Sequence, residues 1–416
     1  MNLHPSCEAG ARPEYPRNIP PSTARDMLLD IHMEPESESV SLDEALDRVL
    51  ADDSYAFFPM PPFDKSPFDG YAFRACDTPG ALRIVRRIAA GDEAGAALEN
   101  KEAVRIFTGA PVPSGADVVV KQEDVHLDLE RVNIYARMEP DTNVIHAGED
   151  YEAGTRLASR GQRLTPALLG VLASQGYWRV NVFKRPRVSL ISTGSELYEV
   201  GDARGEYGIY NSSFFILSGY LRRIGFEVVP AGIVPDEPEA IRNLTESGLD
   251  SCDLVITTGG ASIGDYDYAL STAESVGAEV LFWKCGMKPG GAILASVRSN
   301  KLLLNLSGNP AAAVMGLLVV AQPYLRKLCG ETETLPKMLL LPLLRSLPKT
   351  SSSMRLLRGH LEFADGTAYF AENEGRGNGN MASFDGCELI GFIPPTAEYL
   401  PAGTVIETLR LPSGIC

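Results

Sequence analysis

Three segments of the chain place glycine, hydroxyl and carboxylate residues where an apolar run ends and a helix is expected to begin. In DLVITTGGASIGDYDY (253–268) a buried-strand pattern ends at Gly259 and Gly260 and passes through Ser262 and Gly264 toward a helix. Glycines in such a turn let backbone N–H groups close on a phosphate, and Asp265 and Asp267 at the helix start would bind a cation bridging phosphate oxygens. The same aspartates would serve equally as ordinary helix caps. SLISTGSEL (189–197) repeats the arrangement with Thr193, Gly194, Ser195 and Glu196, the last being either a ligand or a surface carboxylate at a helix start. NLSGNPAAAV (305–314) repeats it again, with Ser307 and Gly308 in the turn, Asn309 as cap and Pro310 at the first helical position. Lys284 and Lys288 in FWKCGMKPGG are cations that would neutralise a pyrophosphate, or else stand solvated. Glu196, Asp265 and Asp267 are therefore the candidate ligands of a divalent cation.

Two further loops, PPFDKSPFDGYAFR (61–74) and RIFTGAPVPSGADVVVKQEDV (105–125), are rigid by their proline and glycine content and display Asp64, Asp69, Thr108 and Glu123. No serine–histidine or cysteine–histidine dyad is visible, and the chain has only five histidines. The chemistry expected is electrostatic positioning of an anion, not covalent catalysis.

The elements that must position these residues alternate. Strand patterns at 188–192, 228–234, 254–258 and 280–283 are separated by helical patterns at 212–224, 237–246 and from about 266, which predicts a parallel α/β sheet. Two apolar runs at 292–297 and 301–306 read as a hairpin, and a long helix begins at Asn309 with Pro323 expected to kink or end it. The segment 22–54 shows two helical patterns, the second announced by a capping box at Ser41 and Glu44. The expected organisation is a disordered tail (1–18), a discontinuous helical linker and dimerisation domain (19–54 and 149–184), and an inserted β domain (55–148). An α/β domain (185–330) and a small C-terminal β-barrel (331–416) follow.

A chain of 416 residues calls for several cores, and 44% apolar with 22% charged residues is ordinary globular composition. The formal net charge of −16 excludes a nucleic-acid or anionic-membrane surface, so an anionic ligand needs a local pocket of N–H groups and cations. Seven scattered cysteines without a CxxC pair suggest neither a zinc site nor a disulfide framework. No stretch reads as a signal peptide or a membrane span, and a cytoplasmic location is expected.

In these motifs and their order, which include GEDY (148–151) and MKPGG (287–291), the sequence resembles the MoeA family of molybdopterin molybdenumtransferases from about Ser22 to Leu411. The resemblance implies an elongated homodimer of four-subdomain chains with its site between subunits. It implies adenylylated molybdopterin and molybdate as substrates, Mg²⁺-dependent hydrolysis of the pyrophosphate link and release of AMP. A molybdopterin adenylyltransferase upstream and molybdoenzymes downstream are the implied partners. Residue by residue it assigns catalytic positions to Asp69, Thr108, Asp150, Glu196, Asp236 and Asp267. Lys284, Lys288, Ser307 and Pro310 match pocket positions, and Arg358 and Ser383 match C-terminal positions associated with molybdate.

Departures from the family pattern stand at Ile145, His146 and Ala147, where a basic cluster usually precedes the GED motif, at Gly291 in place of lysine, and at Ser307 in place of proline. Each lost cation at an anion site costs about 1–3 kcal/mol if it makes a charge-assisted bond. Three other readings follow: a tungstate-preferring variant, a molybdopterin adenylyltransferase, and a degenerate cofactor-binding or scaffold protein.

Overall fold

The computed structural model describes residues 15–260, 268–347, 351–373, 380–395 and 399–411. Strands Arg187–Thr193, Leu254–Thr258 and Lys301–Leu306 are almost entirely buried, as expected of central strands covered on both faces. They lie within a seven-stranded sheet ordered Arg17–Ile19, Glu279–Cys285, Leu294–Arg298, Lys301–Leu306, Leu254–Thr258, Arg187–Thr193, Glu227–Val234. The last four strands are mutually parallel. The strand Leu294–Arg298 runs antiparallel to both neighbours, so the sheet is mixed, because a tight hairpin cannot make a parallel crossover.

The alternation of side chains divides the core in two. Leu190, Ile256 and Leu304 face Leu217, Val314 and Leu318, while Ile191, Val255 and Leu303 face Ile241, Leu249 and Ala273 on the other side. Helix Ser212–Ile224 starts at Asn211, whose side chain accepts from the Phe214 N–H, and ends at Gly225 with φ of 126°. Helix Pro238–Ser251 runs past the expected residue 246.

Pro323 does not end the long helix. The chain stays helical from Pro310 to Leu328, with a π-type turn at Leu317–Ala321 immediately before the proline. A proline removes one N–H and crowds the carbonyl four residues back, and the wider π turn makes room for it. By length and composition this helix would also span a bilayer, against the expectation that no segment would, yet it is packed in the core between the sheet and helix Pro21–Leu29.

The N-terminal expectation needs correction. Arg17 and Asn18, expected in a disordered tail, form with Ile19 an edge strand parallel to Glu279–Cys285, and the Arg17 guanidinium lies over the rings of Tyr15 and Trp283 at 4.9 and 4.8 Å. Helix Pro21–Leu29 buries Ala24 and Leu28 against the α/β core. The second helical pattern is a single 3-10 turn, Leu42–Glu44, in which Ser41 Oγ donates to Glu44 Oε2 at 2.7 Å. Strand Ser37–Ser41 precedes it and pairs with Arg179–Phe183. The linker is thus largely β, with helix Pro166–Ser174 capped by Thr165 as its helical part.

The insertion carries a six-stranded sheet ordered Val118–Lys121, Gly70–Phe73, Glu102–Ile106, Gly80–Ile88, Arg131–Ile134, His126–Asp128. Gly70 is obligatory there, since a Cβ would meet the Val120 carbonyl oxygen at 1.9 Å. In the C-terminal domain, Met338–Pro342, Val405–Arg410, Leu389–Ile393, Met354–Ala364 and Thr367–Glu372 pair in that order, and a bridge between Leu343 and Phe370 closes the barrel. Glu331, buried, binds Arg163 of the linker and Arg326 of the long helix, fastening the linker to the α/β domain.

Candidate active site

Parallel strands end together, so the three glycine turns meet at one edge of the sheet. Their meeting point is a cavity of about 570 Å³ lined by Thr193, Gly194, Glu196, Asp236, Gly259, Gly260, Ser307, Gly308 and Asn309, with Leu197, Ser213, Thr258 and Ala292 completing the wall. The turns touch one another closely. A Cβ on Gly259 would stand 2.4 Å from Thr193 Oγ1, and φ of 101° there is a conformation that suits glycine. Thr193 Oγ1 donates to the Thr258 carbonyl at 3.0 Å, lacing two strand ends.

The carboxylates are held by backbone. Ser195 N–H donates to Asp236 Oδ2 at 3.2 Å, and Asp236 N–H donates to Ser195 Oγ at 3.3 Å. Glu196 folds back over Gly194, whose Cβ would lie 2.7 Å from Glu196 Oε2. Asn309 Oδ1 accepts from the Ala312 N–H at 3.0 Å, and Ser307 Oγ accepts from the Asn309 N–H at 3.2 Å, which shapes the third turn. Two carboxylates beside glycine turns form the oxygen-donor set that suits Mg²⁺ together with phosphate oxygens. Among the described residues no group of three His, Cys, Asp or Glu converges on one point. Ser262, Gly264, Asp265 and Asp267 lie outside the described residues.

Other expected site residues lie elsewhere. Lys284 and Lys288 do not line the cavity: Lys284 has φ of 71° and its ammonium sits 4.9 Å from the Trp283 ring centre, while Lys288 pairs with Arg355 beside the barrel. Their separation follows from the strand Glu279–Cys285 lying two strands away from the glycine turns. Pro310 opens the helix without lining the cavity. Arg358 and Ser383 are buried in the barrel, where Arg358 Nη1 at 3.2 Å and Ser383 Oγ at 2.8 Å both donate to the Asn380 carbonyl. Burial holds the Arg358 pKa below the usual guanidinium range.

Asp69 and Thr108 are brought together in the insertion. Thr108 donates to Asp69 Oδ1 through its N–H at 2.9 Å and its hydroxyl at 2.8 Å, and these bonds, with Arg105 nearby, hold the Asp69 carboxyl below its ordinary pKa. Asp150 is exposed at the junction of insertion and linker, with its N–H donating to the Met60 carbonyl at 2.9 Å. Among the described residues no hydrogen bond or ion pair joins Asp69, Thr108 or Asp150 to the sheet-edge cavity.

One residue escaped the sequence reading. Asn305 stands in the leucine run of strand Lys301–Leu306, is 5% exposed, and donates through Nδ2 to Thr257 Oγ1 at 2.6 Å and to the Gly259 carbonyl at 3.0 Å. Its Oδ1 has no hydrogen-bond partner, and it lines a void of about 10 Å³ behind the glycine turn. A single amide inside LLLNL was the available signal.

This geometry, three glycine turns and two carboxylates at the carboxyl edge of a sheet, is that of an α/β domain with a ligand-sized cavity at its strand ends. Residues 19–176 match the model of the MoeA N-terminal region (domain I and II), and residues 189–327 match that of a probable molybdopterin binding domain. The chain is 31% identical over 379 residues to the molybdopterin molybdenumtransferase of Staphylococcus aureus strain Mu50, covering 89% of this chain and 90% of that protein. It is 30% identical over 389 residues to the Staphylococcus epidermidis protein of the same name, covering 92% and 93%. The crystal structure of a molybdopterin biosynthesis moeA protein from Pyrococcus horikoshii OT3 superposes with a TM-score of 0.81 at 26% identity, covering 94% of this chain and all of that one. The chain belongs to the molybdopterin molybdenumtransferase (MoeA) family.

Proposed function

We propose that this protein inserts molybdenum from molybdate into adenylylated molybdopterin, with hydrolysis of the pyrophosphate link and release of AMP. The observation that carries the reading is the sheet-edge cavity, where backbone from three glycine turns surrounds a space flanked by Glu196 and Asp236. Backbone N–H groups and helix N-termini at such an edge neutralise phosphate oxygens without help from the chain's overall charge. Glu196 and Asp236 would hold Mg²⁺, which when bound supplies positive charge to the leaving phosphate. Asp236 keeps its carboxylate aimed by accepting from Ser195, and Glu196 is folded against Gly194 on the cavity wall.

The second reading within the same site is insertion of tungsten from tungstate. A homodimer completes the proposal: Asp69 and Thr108 stand apart from the cavity within one chain, which supports a site finished by the insertion of a second copy. Purified full-length protein given adenylylated molybdopterin, Mg²⁺ and either oxyanion, and in a parallel sample molybdopterin with ATP, tests all of this. AMP release with molybdenum in the product is expected, and light scattering should give the mass of two chains. Retention of the substrate without AMP release would overturn the reading in favour of a scaffold, and consumption of ATP would favour adenylylation.

A further inference from the structure

The inserted domain presents cations that the sheet-edge site does not use. Arg87 and Arg105 are register partners on adjacent parallel strands, so their side chains stand together on one face of the insertion sheet. Both guanidinium groups rest on the ring of Phe107, at 5.3 and 5.4 Å from its centre. The Lys121 ammonium lies 4.5 Å from the centre of the Phe68 ring, and the register of its strand places Lys121 on the other face of the sheet. None of the three cations forms an ion pair among the described residues, on a chain whose net charge is −16.

The neighbours of these cations tie them to Asp69 and Thr108. Arg105 Nη2 donates to Gln122 Oε1 at 3.0 Å, the Gln122 N–H donates to the Asp69 carbonyl at 3.1 Å, and Gln122 Nε2 donates to Glu123 Oε1 at 3.1 Å. Two carboxylates, Asp69 and Glu123, are therefore linked to Arg105 through Gln122. Asp69 Oδ1 is already committed to Thr108. Guanidinium groups lying on an aromatic ring are pre-organised and keep their N–H edges free, the arrangement that suits a phosphate in bidentate contact.

We propose that the Arg87–Phe107–Arg105 face is a phosphate-binding subsite for the nucleotide half of the substrate, supplying from strands the positive charge absent at Ile145, His146 and Ala147. This rests on the proposed function for the identity of the nucleotide, but not for the existence of the site. The ligand class is a phosphate monoester or diester of a nucleoside, met by Arg87 and Arg105 through its phosphate oxygens.

The experiment is calorimetric titration of full-length protein at low salt with AMP, inorganic phosphate and adenosine. Wild type should bind AMP and phosphate with affinities that fall as salt rises. Arg87→Ala and Arg105→Ala should each weaken AMP and phosphate by about tenfold or more, the scale of one charge-assisted hydrogen bond. Arg87→Glu, at an exposed position that leaves the core untouched, should weaken them further. Adenosine affinity should be the same in all variants. The proposal is overturned if wild type binds neither AMP nor phosphate, if the variants keep both affinities within about twofold, or if adenosine falls in parallel with AMP. AMP release in turnover is a separate measurement: its absence would remove the proposed reaction and leave the phosphate site standing on its binding data.

Discussion

Ser195 and Asp236 exchange two hydrogen bonds, N–H to carboxylate at 3.2 Å and N–H to hydroxyl at 3.3 Å, and so lock the loops that follow strands Arg187–Thr193 and Glu227–Val234. The pair fixes one of the two carboxylates on the cavity wall. Asp236→Asn keeps the shape and removes the charge, so it should fold like wild type and lose Mg²⁺ dependence. Asp236→Ser removes both. A turnover loss of about a hundredfold is expected for either variant if the carboxylate acts at the phosphate. Equal AMP release by wild type and Asp236→Asn would show that this charge is not used.

Gly259 meets Thr193 so closely that the turn has no room for a side chain. Gly259→Ala must move the Thr193 backbone or the turn itself, with the added strain of alanine at φ of 101°. The expected cost is about 1–3 kcal/mol of stability, together with loss of substrate binding. Chemical denaturation and ligand titration on the same sample check both, and unaltered affinity would mean that the turn is not part of the ligand wall.

Asn305 allows stability and function to be separated. Asn305→Leu removes two hydrogen bonds and leaves the Thr257 hydroxyl and the Gly259 carbonyl without their donor, while also removing a buried Oδ1 that has no partner, so a destabilisation of about 1–3 kcal/mol is expected. The Gly259 carbonyl loses its tether, and the Michaelis constant for the substrate should rise several-fold. A destabilisation above about 3 kcal/mol with unaltered kinetics would assign Asn305 to the core alone.

Much of this was legible in the chain because the signals were local. Helix Ser212–Ile224 has the limits read from sequence, since Asn211 and Gly225 mark both ends, and the three glycine turns fall at strand ends as their spacing implied. Arg17–Ile19 was not legible: three residues are too few for a period, and their place depends on pairing with a distant strand. Arg87 carries no local signal either, because only its register with Arg105 places both on Phe107. The separation of Lys284 from the cavity is likewise a matter of strand order, which no local pattern encodes.

Thr108 sets the acidity of Asp69. Its N–H and hydroxyl bonds, joined by the field of Arg105, depress the folded-state pKa below the ordinary carboxylate value. A depressed folded pKa stabilises the fold fully above the unfolded pKa, and the contribution is lost as pH falls through the folded one. Thr108→Val deletes the hydroxyl bond and keeps the N–H bond, so the Asp69 titration should move upward toward the ordinary value. Carbon-detected NMR titration of the side-chain carboxyl reads this directly, and an unmoved midpoint would credit the N–H and Arg105 alone.

Glu331 is 7% exposed and receives Arg163 from the linker on one oxygen and Arg326 from the long helix on the other, with Arg326 Nε at 2.8 Å. Arg163 also donates to the Ile224 carbonyl at 2.7 Å, so this carboxylate joins three elements at the seam between linker and α/β domain. Removing one member of a buried ionic group leaves the others uncompensated, which costs about 3–5 kcal/mol. Both arginines retain some exposure, so the lower end applies to Glu331→Ala, and Glu331→Gln should recover part of the loss through its hydrogen bonds. Because the seam supports the orientation of the linker that carries the insertion, Glu331→Ala should also weaken the proposed association of two chains. Thermal denaturation and sedimentation at matched concentration test the two effects together. A lowered midpoint with an unaltered association constant would confine Glu331 to stability.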